Sequence, residues 1–264
     1  MKRRSFVKGS LLGTSLINLI PAAVEAEDSL AKANREYYEL RVYTIKSADQ
    51  ERIIDEYLEK AAIPALNRLG SKNVGVFKEL KPDGLTKIYL VIPFRSINDF
   101  AASPEKLMAD KTYVAAGSGY LNAPATAPAY TRIESSLLLA FTGLPVLAVP
   151  EKKSRIFELR RYESASELAG RTKIKVFNEE GEIEIFKSVG LTPVFFGETL
   201  IGELRPNLTY MLTYDDMPAH DASWKKFSAD PRWLKIKAVP EYADARIVSK
   251  ITAVFLVPTA YSQV

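Results

Sequence analysis

The sequence holds no cysteine and a single histidine, His220, among its 264 residues. Without cysteine there is no disulfide, no thiolate nucleophile, no iron–sulfur cluster, no Cys-ligated zinc and no lipid-modified cysteine anchor. One histidine leaves little for a metal centre or a catalytic triad, and no serine stands in a Gly-x-Ser-x-Gly elbow. Gly13, Gly170 and Gly202 form no phosphate-cradling loop. No basic run with interleaved aromatics occurs, so nucleic acid is not an expected partner. What remains for chemistry is glutamate, arginine and tyrosine, in a chain 47% hydrophobic and 26% charged, the balance of a globular protein.

A long hydrophobic run is also missing. The apolar stretch Gly9 to Ile20 is about half the ~20 residues that span a bilayer, so no stable membrane anchor is expected. It follows a basic segment with Lys2, Arg3, Arg4 and Lys8, is broken by Pro21, and precedes a small-residue cleavage site at Val24-Glu25-Ala26. Arg3, Arg4, Phe6 and Lys8 stand at a spacing that resembles the bacterial twin-arginine export signal, R-R-x-F-x-K. The resemblance implies a periplasmic or otherwise exported protein, with an ordinary secretion signal as the alternative. Removing residues 1–26 takes away four basic groups and one acidic group, so the net charge falls from +4 to +1. The basic balance therefore belongs to the signal and says nothing about partners of the mature chain.

The rest of the chain is duplicated. Tyr38-Glu39-Leu40-Arg41-Val42-Tyr43 recurs as Phe157-Glu158-Leu159-Arg160-Arg161-Tyr162 at an offset of 119, which also carries Phe77 onto Phe196 and Glu79 onto Glu198. Gly70 matches Gly190 within one residue. Each unit reads β-α-β-β-α-β. In the first, a strand over 37–45 precedes a helix that Pro64 should kink and Gly70 should end. Strands over 74–80 and 87–93 flank the turn Lys81-Pro82-Asp83-Gly84, a helical region runs from Ile97 to Ala116, and a strand covers 136–142. In the second unit, strands over 155–162, 192–201, 208–214 and 246–257 follow the same order, the middle two joined by a turn at Arg205-Pro206-Asn207 and the outer connections made by helices. One of these begins at Asp230-Pro231, an N-cap followed by proline at the first helical position. Gly143 to Lys153, with Pro145 and Pro150, is the boundary, giving units 27–143 and 144–264 after the signal at 1–26. This order predicts an α+β fold of two ferredoxin-like (βαββαβ) repeats packed as an α+β barrel.

Strand alternation separates Tyr38, Leu40, Val42, Phe157 and Leu159 from Glu39, Arg41, Tyr43, Glu158, Arg160 and Tyr162. The apolar set is expected against the helices and the charged set on the face turned toward the other repeat, joined by Glu79 and Glu198 if the registers agree. Two readings stay open. Either the charged set and Tyr210 line a pocket for a small molecule, or Glu and Arg pair across strands and fix register. Glu198 draws attention because its strand, Val194-Phe195-Phe196-Gly197, offers aromatic walls and a glycine where a ligand could approach the backbone.

The second unit resembles the NIPSNAP family through Phe177-Asn178-Glu179-Glu180-Gly181-Glu182-Ile183-Glu184-Ile185-Phe186, Gly190-Leu191-Thr192-Pro193-Val194-Phe195-Phe196-Gly197-Glu198 and Pro206-Asn207-Leu208-Thr209-Tyr210-Met211-Leu212. Asp221, Trp224, Phe227, Asp230-Pro231, Trp233 and Tyr261-Ser262-Gln263 continue it. The first unit matches through Tyr38-Glu39-Leu40-Arg41 and the strand around Tyr89. The resemblance implies a tandem ferredoxin-like barrel and no defined chemistry. His220 departs from it, standing where relatives carry arginine.

No cofactor or metal is implied. His220, beside Asp216 and Asp221, reads as a solvated surface histidine. Trp224, Phe227 and Trp233 read as core anchors. Glu179-Glu180-Gly181-Glu182 reads as a solvated helix break without EF-hand spacing. The leading function is small-molecule binding in the barrel. The alternatives are a non-enzymatic scaffold of the cell envelope and, more weakly, a haem-binding or cofactor-independent oxygenase-like enzyme. Self-association is left open. One expectation concerns export: replacing Arg3 and Arg4 together by Lys should hold the precursor in the cytoplasm, because lysine lacks the guanidinium fork. Cell fractionation checks it, and unaltered arrival in the periplasm would favour the general secretion route.

Overall fold

The computed structural model describes residues 35–264, and the export signal expected at 1–26 lies outside the described residues. Eight strands form: β1 (Tyr37–Ile45), β2 (Gly75–Glu79), β3 (Thr86–Phe94), β4 (Arg132–Ala140), β5 (Ile156–Glu163), β6 (Thr192–Ile201), β7 (Asn207–Tyr214) and β8 (Lys250–Pro258). They close into one antiparallel barrel in the order β1-β3-β2-β8-β5-β7-β6-β4. The first half supplies the run β4-β1-β3-β2 and the second β6-β7-β5-β8, joined at two seams, β2–β8 and β4–β6. Glu39 stands on β1 and Glu158 on β5, the opening strand of each half. β4 starts four residues earlier than expected, since Arg132 to Ser135 keep pairing along β1. β8 starts four residues later, because Asp244–Ile247 forms a short helix.

The two faces of the sheet carry different chemistry, and the expected assignment is reversed. Tyr38, Leu40, Phe77, Val91, Leu138, Phe157, Leu159, Phe195, Met211 and Leu256 form one apolar cluster inside the barrel, drawn from both halves. Tyr43 and Tyr162 instead join separate clusters beneath the helices of their own halves. The Glu-x-Arg-x-Tyr sets therefore face the helices, where neighbouring hydroxyl and indole groups can serve the carboxylates. Buried polar groups need such partners, and an eight-stranded barrel leaves little interior room beyond its own side chains.

The correspondence of Glu79 with Glu198 also fails. Glu79 pairs with Leu256 of the barrel interior, whereas Glu198 pairs with Leu208, which packs under the helices. A register irregularity between Pro193 and Phe195 accompanies the change, and a one-residue slip sends a side chain to the other face.

Helices cover the outside. In the first half α1 (Ala48–Tyr57) passes through a π-helical turn (Leu58–Ala62) into α2 (Ile63–Arg68). There the Ile63 N–H reaches Leu58 O, five residues back, next to Pro64, which has no N–H to offer. The later helical region is broken into α3 (Ile97–Ala109), α4 (Lys111–Ala116) and α5 (Ser118–Leu121), with Asp110 capping α4 through Thr112 N–H at 2.9 Å. The second half carries α6 (Glu167–Asn178), α7 (Glu182–Val189), α8 (Met217–Ala229), α9 (Pro231–Lys237) and α10 (Asp244–Ile247). Asp230 caps α9 as expected.

The helix break at Gly181 (φ 90°) forms, but Glu182 is not solvated. Its carboxylate lies 3.1 Å from Lys173 Nζ, with both residues buried and Asp244 at 3.6 Å. The ammonium also sits against the rings of Phe177 at 4.9 Å and Trp233 at 5.3 Å. Burial pushes the Glu182 carboxyl up against the pull of Lys173. Burial alone would lower Lys173, and the charges of Glu182 and Asp244 reverse that. Lys173→Met should cost about 3–5 kcal/mol in urea unfolding near neutral pH, since it strands Glu182. In that variant the folded-state carboxyl stays raised above its unfolded value, so stability falls as pH rises. The deficit should therefore shrink as the pH is lowered and the Glu182 carboxyl takes up its proton.

Candidate functional site

In the first half Arg41 grips Glu39 with two parallel bonds, Nε to Oε1 at 2.8 Å and Nη2 to Oε2 at 2.9 Å. Ser135 donates to Glu39 Oε1 at 2.7 Å, and Arg41 Nη1 donates to Tyr43 Oη at 3.3 Å. Tyr43 meets Tyr120 Oη at 3.3 Å, and Tyr120 stacks on Tyr57 at 3.8 Å between centroids. Burial alone would lower the Arg41 pKa, but Glu39 and Tyr43 hold it above its ordinary value.

The second half repeats the arrangement. Glu158 is 1% exposed and accepts from Arg160 Nη1, from Tyr214 Oη at 3.0 Å and from Trp224 Nε1 at 3.2 Å. Arg160 lies over the Trp224 ring at 4.5 Å and donates to Tyr162 Oη at 3.3 Å, which accepts from Tyr210 at 3.0 Å. Burial, Glu158 above all among its charged neighbours, raises the Tyr214 phenol and keeps it protonated. His220 is not the solvated surface residue expected. Its side chain is 14% exposed, boxed by Tyr214, Trp224 and Phe255, with Nε2 3.4 Å from Glu158 Oε2 and Nδ1 2.8 Å from Asp221 Oδ1. The structure thus brings Glu158, Arg160, Tyr162 and Tyr210 together beneath α8, and Glu39, Arg41 and Tyr43 beneath α5. It brings neither Glu79 nor Glu198 to them. Glu79 accepts from Tyr89 Oη at 2.7 Å, and Glu198 has Arg35 as its charged neighbour. The space beside Gly197 is taken by Leu138, whose Cβ would lie 2.9 Å from an added Cβ, so no ligand approaches the backbone there.

The barrel itself is not filled along its whole length. One end is packed by Tyr38, Phe77, Phe157 and Phe195. At the other, a cavity of about 250 Å³ opens, lined by Leu40, Tyr89, Leu159, Arg161, Glu163, Leu204, Thr209, Lys250, Thr252, Ala253 and Val254. Glu163 Oε1 is buried there without a hydrogen-bond partner, an omission that ordinarily costs about 1–3 kcal/mol. Glu163 and Lys250 are cross-strand partners, yet among the described residues neither they nor Arg161 form an ion pair. At the repeat offset of 119, Arg161 and Glu163 replace Val42 and Thr44 of the first half.

The NIPSNAP family model matches residues 38–138 and again 157–263. The chain belongs to the NIPSNAP family. No curated protein matches it. Among solved structures, a NIPSNAP family protein from Agrobacterium tumefaciens strain C58 is 23% identical over 41% of this chain and 96% of its own, with a TM-score of 0.36. A proposed monooxygenase from Lactobacillus acidophilus NCFM is 11% identical, covering 85% of this chain and 94% of its own, with a TM-score of 0.55. An anthrone oxidase-like protein is 10% identical, covering 85% and 92%, with a TM-score of 0.51. The last two share the fold, an α+β barrel of the dimeric type, here closed within one chain.

Among the described residues of this NIPSNAP chain no group of three or more His, Asp or Glu could hold a metal ion, and no helix is long and apolar enough to cross a membrane. Sequence reasoning missed Arg161, Glu163 and Lys250. The usable signal was charge at alternating positions 161 and 163 where the first copy carries valine and threonine. The paired clusters make a testable claim. Arg160→Met should destabilise by about 3–5 kcal/mol in urea, because Glu158 loses its cation while staying buried. Adding Glu158→Gln should restore much of that loss. Absence of recovery would mean that the pair is not what holds Glu158 in place.

Proposed function

We propose that this NIPSNAP protein is an exported small-molecule-binding barrel made of two fused ferredoxin-like units, its ligand entering at the end marked by Arg161, Glu163 and Lys250. One observation carries the reading. The Glu–Arg–Tyr sets are duplicated and their carboxylates are paired with arginine, whereas the barrel end holds a buried carboxylate oxygen without a partner and cations without an ion pair, in a cavity, where the other half has uncharged residues. Unpaired charge in a concave site with apolar walls is the ordinary form of a small-ligand site. Export is supported by the spacing of Arg3, Arg4, Phe6 and Lys8.

An oxygenase-like reading draws support from the likeness in fold to the proposed monooxygenase and the anthrone oxidase-like protein. It would use the Glu158–His220–Trp224 cluster, but the surroundings of Glu158 are occupied by Arg160, Tyr214 and Trp224. A haem does not fit His220 either, since both ring nitrogens already face carboxylates. Native mass spectrometry of the protein purified from the periplasm tests the binding reading. The wild type should retain a small-molecule adduct that Arg161→Met loses, at a stability cost of about 1 kcal/mol or less, because Arg161 is half-buried and unpaired. An adduct unchanged by the substitution would move the site away from the barrel end.

A further inference from the structure

Resting on the barrel end as the ligand site, we infer that its ligand is a small apolar acid bearing a hydrogen-bond donor on the carbon next to its carboxylate, an apolar α-amino or α-hydroxy acid. The lining dictates the head group. Arg161 presents a planar guanidinium fork suited to a carboxylate, and Lys250 adds a second positive charge at the rim. A carboxylate alone would sit among these beside Glu163, whose buried Oε1 lacks a donor and would stay unsatisfied. An amine alone would serve Glu163 and leave Arg161 unmatched. A head group carrying both an acceptor anion and an adjacent N–H or O–H satisfies all three residues together.

The tail follows from the floor and the depth. Leu40, Leu159 and Val254 supply apolar walls. The aromatic packing of Tyr38 with Phe195 and of Phe77 with Phe157 closes the barrel beyond them. A cavity of about 250 Å³ is smaller than the ~300 Å³ at which drug-sized pockets begin. It accepts one ring or a branched aliphatic group, and a long acyl chain has nowhere to go.

Four probes sharing a phenylethyl tail separate the contributions by titration calorimetry on the periplasm-purified protein: L-phenylalanine, L-phenyllactate, 3-phenylpropionate and phenethylamine. Phenylalanine or phenyllactate should bind at least about tenfold tighter than the two probes that lack half of the head group. The stronger of the pair tells whether the natural donor is an ammonium or a hydroxyl. Glu163→Gln should erase that advantage over 3-phenylpropionate, which should itself bind the variant at least as tightly because the negative charge beside its carboxylate is gone. Arg161→Met should remove the preference for both acids over phenethylamine, and thermal melts of both variants establish that they fold. Equal binding of phenylalanine, phenyllactate and 3-phenylpropionate overturns the inference. So does silence from all four probes: if a retained adduct is still lost in Arg161→Met, the ligand class falls and the site stands, and if no adduct is retained, the site falls with it.

Discussion

Closure of the sheet is the constraint from which the rest of this molecule follows. A four-stranded sheet with helices on one face leaves the other face apolar and two edges unpaired, both liabilities in water. Here the two halves cancel each other's liabilities. Their sheets face inward to form one core from Tyr38, Phe77, Phe157 and Phe195, and their edges meet at β2–β8 and β4–β6. The seams are lean. β2 and β8 share pairs at Phe77, Lys78 and Glu79, and β4 meets β6 across a register irregularity. Gly197 permits the second seam to close, because Leu138 lies where any side chain would project. Closure thus depends less on the ladder at the seams than on the apolar interior, whose burial contributes about 25 cal/mol per Å².

With the barrel face committed to apolar packing, charge has to go under the helices. That is why Glu39 and Glu158 are held by Arg41 and Arg160 among Ser135, Tyr214 and Trp224. These clusters recur in both halves with different accessory donors, serine in one and tyrosine with tryptophan in the other. A requirement met twice by different means is one of folding, namely that a buried carboxylate be fully paired. Arg161 and Glu163 break the symmetry of the duplication. Nothing in the packing calls for them, since Val42 and Thr44 serve the corresponding positions.

The order of elements and most strand boundaries, those of β4 and β8 apart, were legible because periodicity and punctuation act locally. β1 and β6 have the expected limits, and Gly70, Gly181, Gly190 and Asp230 end or begin helices as read. The face of each strand was not legible. Alternation tells that Leu40 and Glu39 point apart, but which side is wetter depends on what the helices bring. Here that is the Trp224 indole and the Tyr120 phenol, joined by Ser135 and Tyr214 of the neighbouring strands. The Glu79–Glu198 equivalence failed for a related reason, since a register change inside β6 is invisible to a fixed offset. Lys173 was also hidden: helical spacing cannot show that its ammonium turns inward to Glu182 beneath three aromatic rings.

Fusion of the halves explains why one end of the barrel is open. The connection over 143–153 occurs once in the chain, so it can stopper one end. It does so at the end where β1 and β5 begin: Leu147 belongs to the interior cluster, its N–H donates to Glu36 Oε2 at 2.8 Å, and Ala148 N–H donates to Val194 O at 2.9 Å. At the opposite end, where β5 finishes and β8 starts, Glu163 faces Lys250 with no such cover. β1 and β5 run parallel in the closed order, so the two ends differ even for a pair of separate copies, but such a pair would lack the connection that plugs one of them. A single chain can plug one end and place unmatched charge at the other. The linker and the substitution of Val42 and Thr44 by Arg161 and Glu163 are therefore two parts of the same departure from symmetry, and both bear on the barrel ends rather than on the ion-paired clusters under the helices.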